Sequence, residues 1–174
     1  MNAGRERPAR LLAFHDQFTS VEFLAAGVAL AVMLGSYLYE VVSRYGFDVP
    51  TRWSSDVVQY TLCVCVAMAL PTVTRESGHV AITSFLEKLQ PTRQALATRA
   101  IVWLGAATLL GTTLIFMQVA LEQARLGVET VAALAIPKWW LTAVVGVGML
   151  DSGFHLLRQA LGWSRAAAGH EMDV

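Results

Sequence analysis

The chain has 174 residues, of which 55% are hydrophobic and 15% are charged, and its formal net charge at pH 7 is zero. Soluble domains carry roughly 25% charged residues, and the zero net charge, with no basic run, argues against a nucleic-acid partner. Apolar residues are grouped in long blocks and the mean hydropathy is +0.50, which indicates an integral membrane protein with little soluble mass.

Four segments are apolar and long enough to cross a hydrocarbon core of about 30 Å, which takes about 20 helical residues. In chain order they are 21–42, 57–74, 97–120 and 139–157. The first is too long for a cleavable signal peptide, and bulky residues follow it where small ones would be cut. We therefore expect an all-α membrane protein with four transmembrane helices that form a single domain over 1–174.

Proline and glycine positions predict how these spans pack. Pro71, near the end of the second span, should kink that helix or leave a backbone carbonyl unpaired. Gly105 and Gly111 in the third span are the expected points of close helix approach. Cys63 and Cys65 point about 200° apart on a helix, so we interpret them as packing residues.

Lysine and arginine are distributed unevenly between the two ends of the spans. Nine lie in the N-terminal segment, the second connection and the C-terminal segment: Arg5, Arg7, Arg10, Arg75, Lys88, Arg93, Arg99, Arg158 and Arg165. Four lie in the first and third connections: Arg44, Arg52, Arg125 and Lys138. Cytoplasmic segments carry the excess of such residues, so both termini are expected in the cytoplasm (N-in, C-in).

Two further segments have the pattern of amphipathic helices that lie in the membrane surface. Within 79–90, the apolar residues Ile82, Phe85, Leu86 and Leu89 recur at helical spacing. A shorter stripe near the N-terminus contains Leu11, Phe14 and Phe18. One or two interfacial helices are therefore expected, although ordinary amphipathic loops packed on protein would have the same pattern.

The fourth span carries ionisable groups within the membrane. Asp151, His155 and Arg158 share one helix face because they are four and three residues apart. Such residues suggest a proton or ion site. Pairing of Asp151 with His155 or with a hydroxyl of another helix, as a polar seam, is the alternative. We expect no acidic group from another span beside Asp151, which favours the polar seam of Asp151 and His155.

Polar and aromatic residues concentrate at the ends of the second span and the start of the fourth. They are Arg44, Trp53, Asp56, Arg75, His79, Trp139 and Trp140. Asp56 could complement a helix N-terminus or pair with Arg44 or Arg52, and tryptophans anchor helices at membrane interfaces. We predict that the seven residues also form contacts with a partner protein.

The sequence contains no arrangement typical of catalysis. There is no nucleophile motif with its base, no glycine-rich phosphate loop and no metal-ligand spacing. The four histidines, His15, His79, His155 and His170, offer no pairs at matching depth for haem. We therefore expect neither an enzyme nor a bound cofactor or metal.

Several of these motifs together resemble a known family. They are RYGF (44–47), TRWSSD (51–56), RESGHVAI (75–82) and IPKWW (136–140), followed by Gly146 and Gly148. Their order and spacing resemble the small membrane subunit (Q-type small permease) of TRAP transporters, the tripartite ATP-independent periplasmic transporters of bacteria and archaea. The chain departs from the family pattern at Asp56, where Glu is usual, at Leu70–Pro71, where Gly-Ala is usual, and at Thr83, where Asp is frequent.

The resemblance implies a role and partners. The small subunit would be a non-catalytic protein of the bacterial inner membrane that braces a large multi-span subunit during sodium-coupled uptake of organic acid anions. It would also help to dock a periplasmic substrate-binding protein. Since the chain stops at Val174, we expect the separate rather than the fused kind. A small subunit of a tricarboxylate-type tripartite transporter is one alternative, and a stand-alone small multidrug-type exporter is another.

Overall fold

Helices account for nearly all of the chain that the structure describes. This computed structural model describes residues 3–77 and 91–161, and side chains over 14–76, 94 and 96–161. Its helices are α1 (Ala3–Gly46), α2 (Ser54–Ser77), α3 (Pro91–Leu126) and α4 (Lys138–Ala160). Each contains a stretch long and apolar enough to cross a membrane. The predicted all-α class with four transmembrane helices is thereby confirmed.

The first helix is longer than the span predicted from hydropathy. Residues 3–46 form one helix, so the stripe with Phe14 and Phe18 is not the separate interfacial helix that we predicted. No glycine or proline between Pro8 and Gly27 interrupts the backbone hydrogen bonds. The apolar stretch Phe14–Gly46 has 33 residues, about 50 Å of helix, so α1 must tilt or project beyond the hydrocarbon core. The predicted interfacial helix 79–90 lies outside the described residues.

The helices pack in the order α1, α2, α4, α3. α1 runs along α2, α4 fits between α2 and α3, and the main contacts of α3 are with α4. Accordingly α4 is the most buried helix. In its most apolar stretch of 18 residues 33% is buried, compared with 17% in the corresponding stretch of each other helix. Its buried residues are Gly146, Gly148, Asp151, Ser152, Gly153 and His155. The core therefore lies along one face of α4.

A proline and a glycine create the close contact between α2 and α4. Pro71 lies inside α2 and is fully buried, and because it has no N–H, the Ala67 carbonyl lacks its usual helical donor. Gly148 of α4 lies against that carbonyl, since a Cβ built on Gly148 would be 2.8 Å from the Ala67 carbonyl carbon. The predicted unpaired carbonyl thus faces a glycine backbone, where a weak Cα–H···O contact is available.

The packing of α3 on α4 pairs glycines with leucines in both directions. A Cβ on Gly105 would be 2.9 Å from Cδ1 of Leu156, and one on Gly153 would be 2.8 Å from Cδ2 of Leu110. Each glycine therefore makes room for a leucine of the other helix. The prediction for Gly105 is confirmed. The prediction for Gly111 is wrong, because no atom lies within 4 Å of its Cβ position; Gly111 is on the exposed side of α3.

An ordered loop joins α3 to α4. α3 ends at Leu126, Gly127 adopts φ +61°, and the Val128 N–H donates to the Gln123 carbonyl at 3.1 Å, which is a Schellman-type helix end. Within the loop, the Thr130 N–H donates to the Ile136 carbonyl at 2.9 Å. The loop is therefore a short, hydrogen-bonded hairpin at one end of the bundle.

Candidate functional sites at the two ends of the bundle

Matching ladders of polar residues face each other on α1 and α4. His15, Thr19 and Glu22 follow one another on α1 at intervals of four and three residues, which places them on one helix face. The α4 ladder of Asp151, His155 and Arg158 has the same intervals. We call these six residues, together with Asp16, the α1–α4 cluster. It joins the start of α1 to the end of α4.

The hydroxyl of Thr19 is at the centre of the α1–α4 cluster. Its Oγ1 lies 2.8 Å from Asp151 Oδ2, 2.9 Å from His155 Nε2 and 3.1 Å from the His15 carbonyl oxygen. A hydroxyl donates one proton and accepts through its lone pairs. When Thr19 donates to Asp151, His155 donates its Nε2–H to Thr19. Thr19 is fully buried, so water does not compete for these bonds.

A second set of contacts connects Arg158 to Asp151 through His15. Arg158 Nη1 lies 2.6 Å from His15 Nδ1 and 2.7 Å from Asp16 Oδ1. A guanidinium only donates hydrogen bonds, so Nδ1 accepts and the proton of a neutral His15 is on Nε2. That Nε2 lies 2.6 Å from Asp151 Oδ1, although the direction of its N–H is poor for a hydrogen bond. Asp151 is therefore approached from two sides.

Glu22 is buried without any hydrogen-bond donor. It is 4% exposed, and neither of its carboxylate oxygens has a hydrogen-bond partner in the part of the chain that the structure describes. Its carboxyl group is near enough to that of Asp151 for their charges to interact. Two ionised carboxylates side by side repel each other, and burial adds the cost of lost hydration. A proton or a cation between the two groups would remove this repulsion.

The sequence indicated only the α4 half of this cluster. The expectation that no acidic group of another span lies beside Asp151 is wrong, because α1 brings the Glu22 carboxyl group near it. Thr19 supplies the hydroxyl contact that was one predicted alternative for Asp151, whereas His155 Nε2 is 3.7 Å from Asp151 Oδ2. The missed signal was the identical four-and-three spacing of polar residues in the two helices.

At the opposite end of the bundle, Glu40 connects α1 to the following loop. Its Oε1 accepts from Arg44 Nη2 at 2.6 Å, and its Oε2 accepts from the backbone N–H of Thr51 at 3.1 Å and from the Thr51 hydroxyl. The Ser54 hydroxyl donates to the Ser36 carbonyl at 2.9 Å. These bonds hold the 47–53 loop against α1.

Asp56 and Tyr60 hold the second loop at this end. Asp56 Oδ2 accepts from the backbone N–H of Leu134 at 2.8 Å, and the Tyr60 hydroxyl lies 2.9 Å from the Leu134 carbonyl and 2.7 Å from Thr130 Oγ1. Asp56 lies in the first turn of α2, as expected if it complements that helix N-terminus. Within the described residues it forms no ion pair with Arg44 or Arg52, which was the other alternative. The arginine at 44 is instead bound to a glutamate of its own helix.

A comparison with protein families identifies the class of protein. The family model described as "Tripartite ATP-independent periplasmic transporters, DctQ component" matches residues 33–166, about three quarters of the chain. The chain belongs to this family. No curated protein matches it. The resemblance found in the sequence motifs is therefore confirmed, and the chain is a small, multi-pass membrane component of a TRAP transporter.

Membership has consequences for the two sites. DctQ components function with a large membrane subunit and a periplasmic binding protein, and the family is not known as catalytic. The matched region begins at Met33, so it includes the α4 half of the α1–α4 cluster and the loop contacts at the other end. His15, Asp16, Thr19 and Glu22 precede it.

The residues predicted as partner contacts of this DctQ component have different surroundings. Trp53 is 43% exposed and packs on Tyr39 with ring centroids 5.6 Å apart. Trp139 and Trp140, at the start of α4, are also exposed. The Arg75 side chain pairs with that of Glu76, with 3.7 Å between Nη2 and Oε1. His79 lies outside the described residues. Asp56 accepts a hydrogen bond from Leu134 of the same chain, whereas the three tryptophans are partly exposed on the surface.

Proposed function

We propose that this chain braces the large transport subunit of a TRAP system in the bacterial inner membrane and helps to dock the periplasmic binding protein. In this proposal the assembled system takes up organic acid anions with a sodium gradient, and the chain performs no catalysis itself. Family membership supports the general role. The finer roles rest on the architecture of the bundle and on its charge distribution.

The main support for the proposal is that polar contacts lie at the two ends of the bundle, whereas its outer faces are apolar. Polar groups at both ends bond mostly to other groups of the chain, as at the buried Thr19 and the half-buried Glu40. The outer faces of α1 and α3, by contrast, carry exposed large apolar residues: Phe23, Leu24, Val28, Leu38, Leu104, Leu114, Ile115 and Leu121. A helix bundle with internal polar hydrogen bonds and apolar outer faces is suited to packing against lipid and a second membrane protein. It is poorly suited to carrying a solute.

The charge distribution supports an orientation with both termini in the cytoplasm. Nine lysines and arginines lie in the segments assigned to that side and four in those assigned to the other. In this orientation the α1–α4 cluster is near the cytoplasm. The 47–53 and 127–137 loops, which carry the exposed Phe47 and Val131, are on the side of the binding protein, together with the exposed Tyr45 at the end of α1.

Reconstitution tests the proposal directly. The chain alone in proteoliposomes should accumulate no organic acid anion under a sodium gradient, whereas vesicles that also contain the large subunit and the binding protein should. Purification of the chain from its native membranes should recover a multi-span partner of greater mass. Robust uptake by the chain alone, or its repeated isolation without a partner, would contradict the proposed role.

A further inference from the structure

We propose that the α1–α4 cluster binds one divalent transition-metal ion of the zinc type. The ligands would be His15 Nε2, His155 Nε2 and an Asp151 oxygen, with a water molecule in the fourth position. The ion would clamp the start of α1 to the end of α4. This site is separate from the proposed transport role, which does not require a metal.

The first support is the convergence of three ligand atoms of the right kind. The candidate atoms of His15, Asp151 and His155 all lie within 4.8 Å of one another. Zinc binds imidazole nitrogen and carboxylate oxygen at about 2.0–2.2 Å, which requires ligand atoms within about 4 Å of each other. Small side-chain rotations close that difference. The rings of His15 and His155 are already 4.3 Å apart between centroids.

The second support is independent of this convergence and comes from Glu22. Its carboxylate is buried, has no donor on either oxygen among the described residues, and is near the carboxylate of Asp151. A buried carboxylate without a partner is costly. A cation bound to Asp151 would offset the repulsion between the two carboxylates. Two imidazoles, one carboxylate and a water molecule form a ligand set typical of zinc sites.

The charge of the cluster matches a divalent ion. Asp16, Glu22 and Asp151 are three carboxyl groups, and Arg158 is one guanidinium among them. With neutral imidazoles, the ionised cluster has an excess of two negative charges. Uncompensated charge is expensive at a buried position in a membrane. A divalent cation makes the cluster neutral.

Metal binding also defines what the neighbouring groups must do. Coordination through His15 Nε2 places the proton of that ring on Nδ1, so Arg158 must release Nδ1 and keep its bond to Asp16, which is 2.7 Å away. The Thr19 hydroxyl, which bridges Asp151 and His155, would turn to the His15 carbonyl at 3.1 Å. Both groups have an alternative acceptor, so neither is left unpaired.

Metal analysis of the purified chain tests the site without any transport readout. The full chain is prepared in detergent with a histidine-free affinity tag and with His79→Gln and His170→Gln, which removes the two histidines outside the cluster. After incubation with Zn²⁺ and gel filtration, elemental analysis should find about one zinc per chain. Co²⁺ should give the intense visible absorption of a four-coordinate nitrogen and oxygen site.

Substitution of the ligands should weaken this binding, and a matched control should not. Asp151→Asn and His155→Gln should each lower Zn²⁺ affinity by at least about tenfold. Glu122→Gln, which neutralises an exposed carboxylate on α3, should leave it unchanged. Circular dichroism checks that each variant is helical. If a ligand variant does not fold, the test relies on the Co²⁺ spectrum of the parent chain, which carries only His79→Gln and His170→Gln.

Two results would overturn the proposal. One is a folded parent chain that retains no zinc and gives Co²⁺ only its weak, six-coordinate aqueous spectrum. The other is a His15→Gln/His155→Gln double variant that binds Zn²⁺ as tightly as the parent. Either result would leave the cluster as a network of hydrogen bonds around a shared proton. Neither affects the transport proposal, which is tested by uptake and co-purification.

Discussion

The Thr19 side chain shows how much one residue can determine at a helix contact. α1 and α4 are not long-range packing partners along their lengths, since the principal helix contacts are α1 with α2, α2 with α4 and α4 with α3. Their connection is made by side chains, and Thr19 touches both Asp151 and His155. A valine of nearly the same shape would keep the packing and remove these bonds.

Thr19→Val should therefore destabilise the metal-free protein. The change leaves a buried Asp151 oxygen and a buried His155 nitrogen without their hydroxyl partner, which costs about 1–2 kcal/mol. The measurement is reversible unfolding in mixed micelles that contain a chelator. Thr108→Val is the control, because Thr108 is exposed and bonds only to its own helix, at Leu104. Equal stabilities of the two variants would contradict a structural role for Thr19.

At the scale of the helices, α2 and α4 meet through a backbone contact. Pro71 removes the donor that would occupy the Ala67 carbonyl, and Gly148 lets α4 approach that carbonyl. Neither residue alone has this effect, because the proline frees an acceptor and the glycine supplies the space. The contact is central in the bundle, since α4 lies between α2 and α3.

Gly148→Ala should force α2 and α4 apart. The new Cβ would overlap the Ala67 carbonyl, which is backbone and cannot rotate away, and overpacking of this kind costs about 1–3 kcal/mol. Thermal unfolding in detergent measures the loss. Gly111→Ala, where no atom lies within 4 Å of the Cβ position, should be neutral or slightly stabilising. A Gly148→Ala protein as stable as the Gly111→Ala protein would show that the helices are not in close contact.

At the scale of the whole molecule, the two ends of the bundle are built differently. At one end the largely buried α1–α4 cluster joins α1 to α4. The other end carries two ordered loops that are held by Glu40, Asp56 and Tyr60 and that expose aromatic and apolar side chains. We infer that the loop end meets other proteins, while the cluster end maintains the spacing of the helices.

Arg44→Ala and Trp53→Ala should each slow uptake by the reconstituted complex by about fivefold. This corresponds to a loss of about 1 kcal/mol of binding free energy at an interface. Membrane insertion should be unchanged, because neither residue lies in the core; the Arg44 side chain is 54% exposed. The measurement is the initial uptake rate at equal complex concentration.

Glu40→Gln is the matched control for Arg44→Ala, because it weakens the bonds that hold the loop and leaves the guanidinium in place. An equal loss in Glu40→Gln would assign the effect to loop structure. Uptake unchanged in both Arg44→Ala and Trp53→Ala would show that this end is not a working contact.

Some features of this molecule could be predicted from local sequence, and others could not. The four spans followed from runs of apolar residues, because a chain in lipid must satisfy its backbone hydrogen bonds within each helix. The continuity of α1 was missed, since hydropathy falls before Val21 although helix formation does not require hydrophobicity. Gly111 was assigned to a contact because spacing alone does not tell which face of α3 meets α4.

The number of membrane helices, their class and the family motifs are all contained in stretches of consecutive residues, so the sequence was sufficient for them. The α1–α4 cluster was decided only in three dimensions. Thr19 and Asp151 are 132 positions apart, and their contact depends on how α2 separates and orients the two helices. Helix formation is local, whereas the alignment of two polar ladders depends on the packing of the whole bundle.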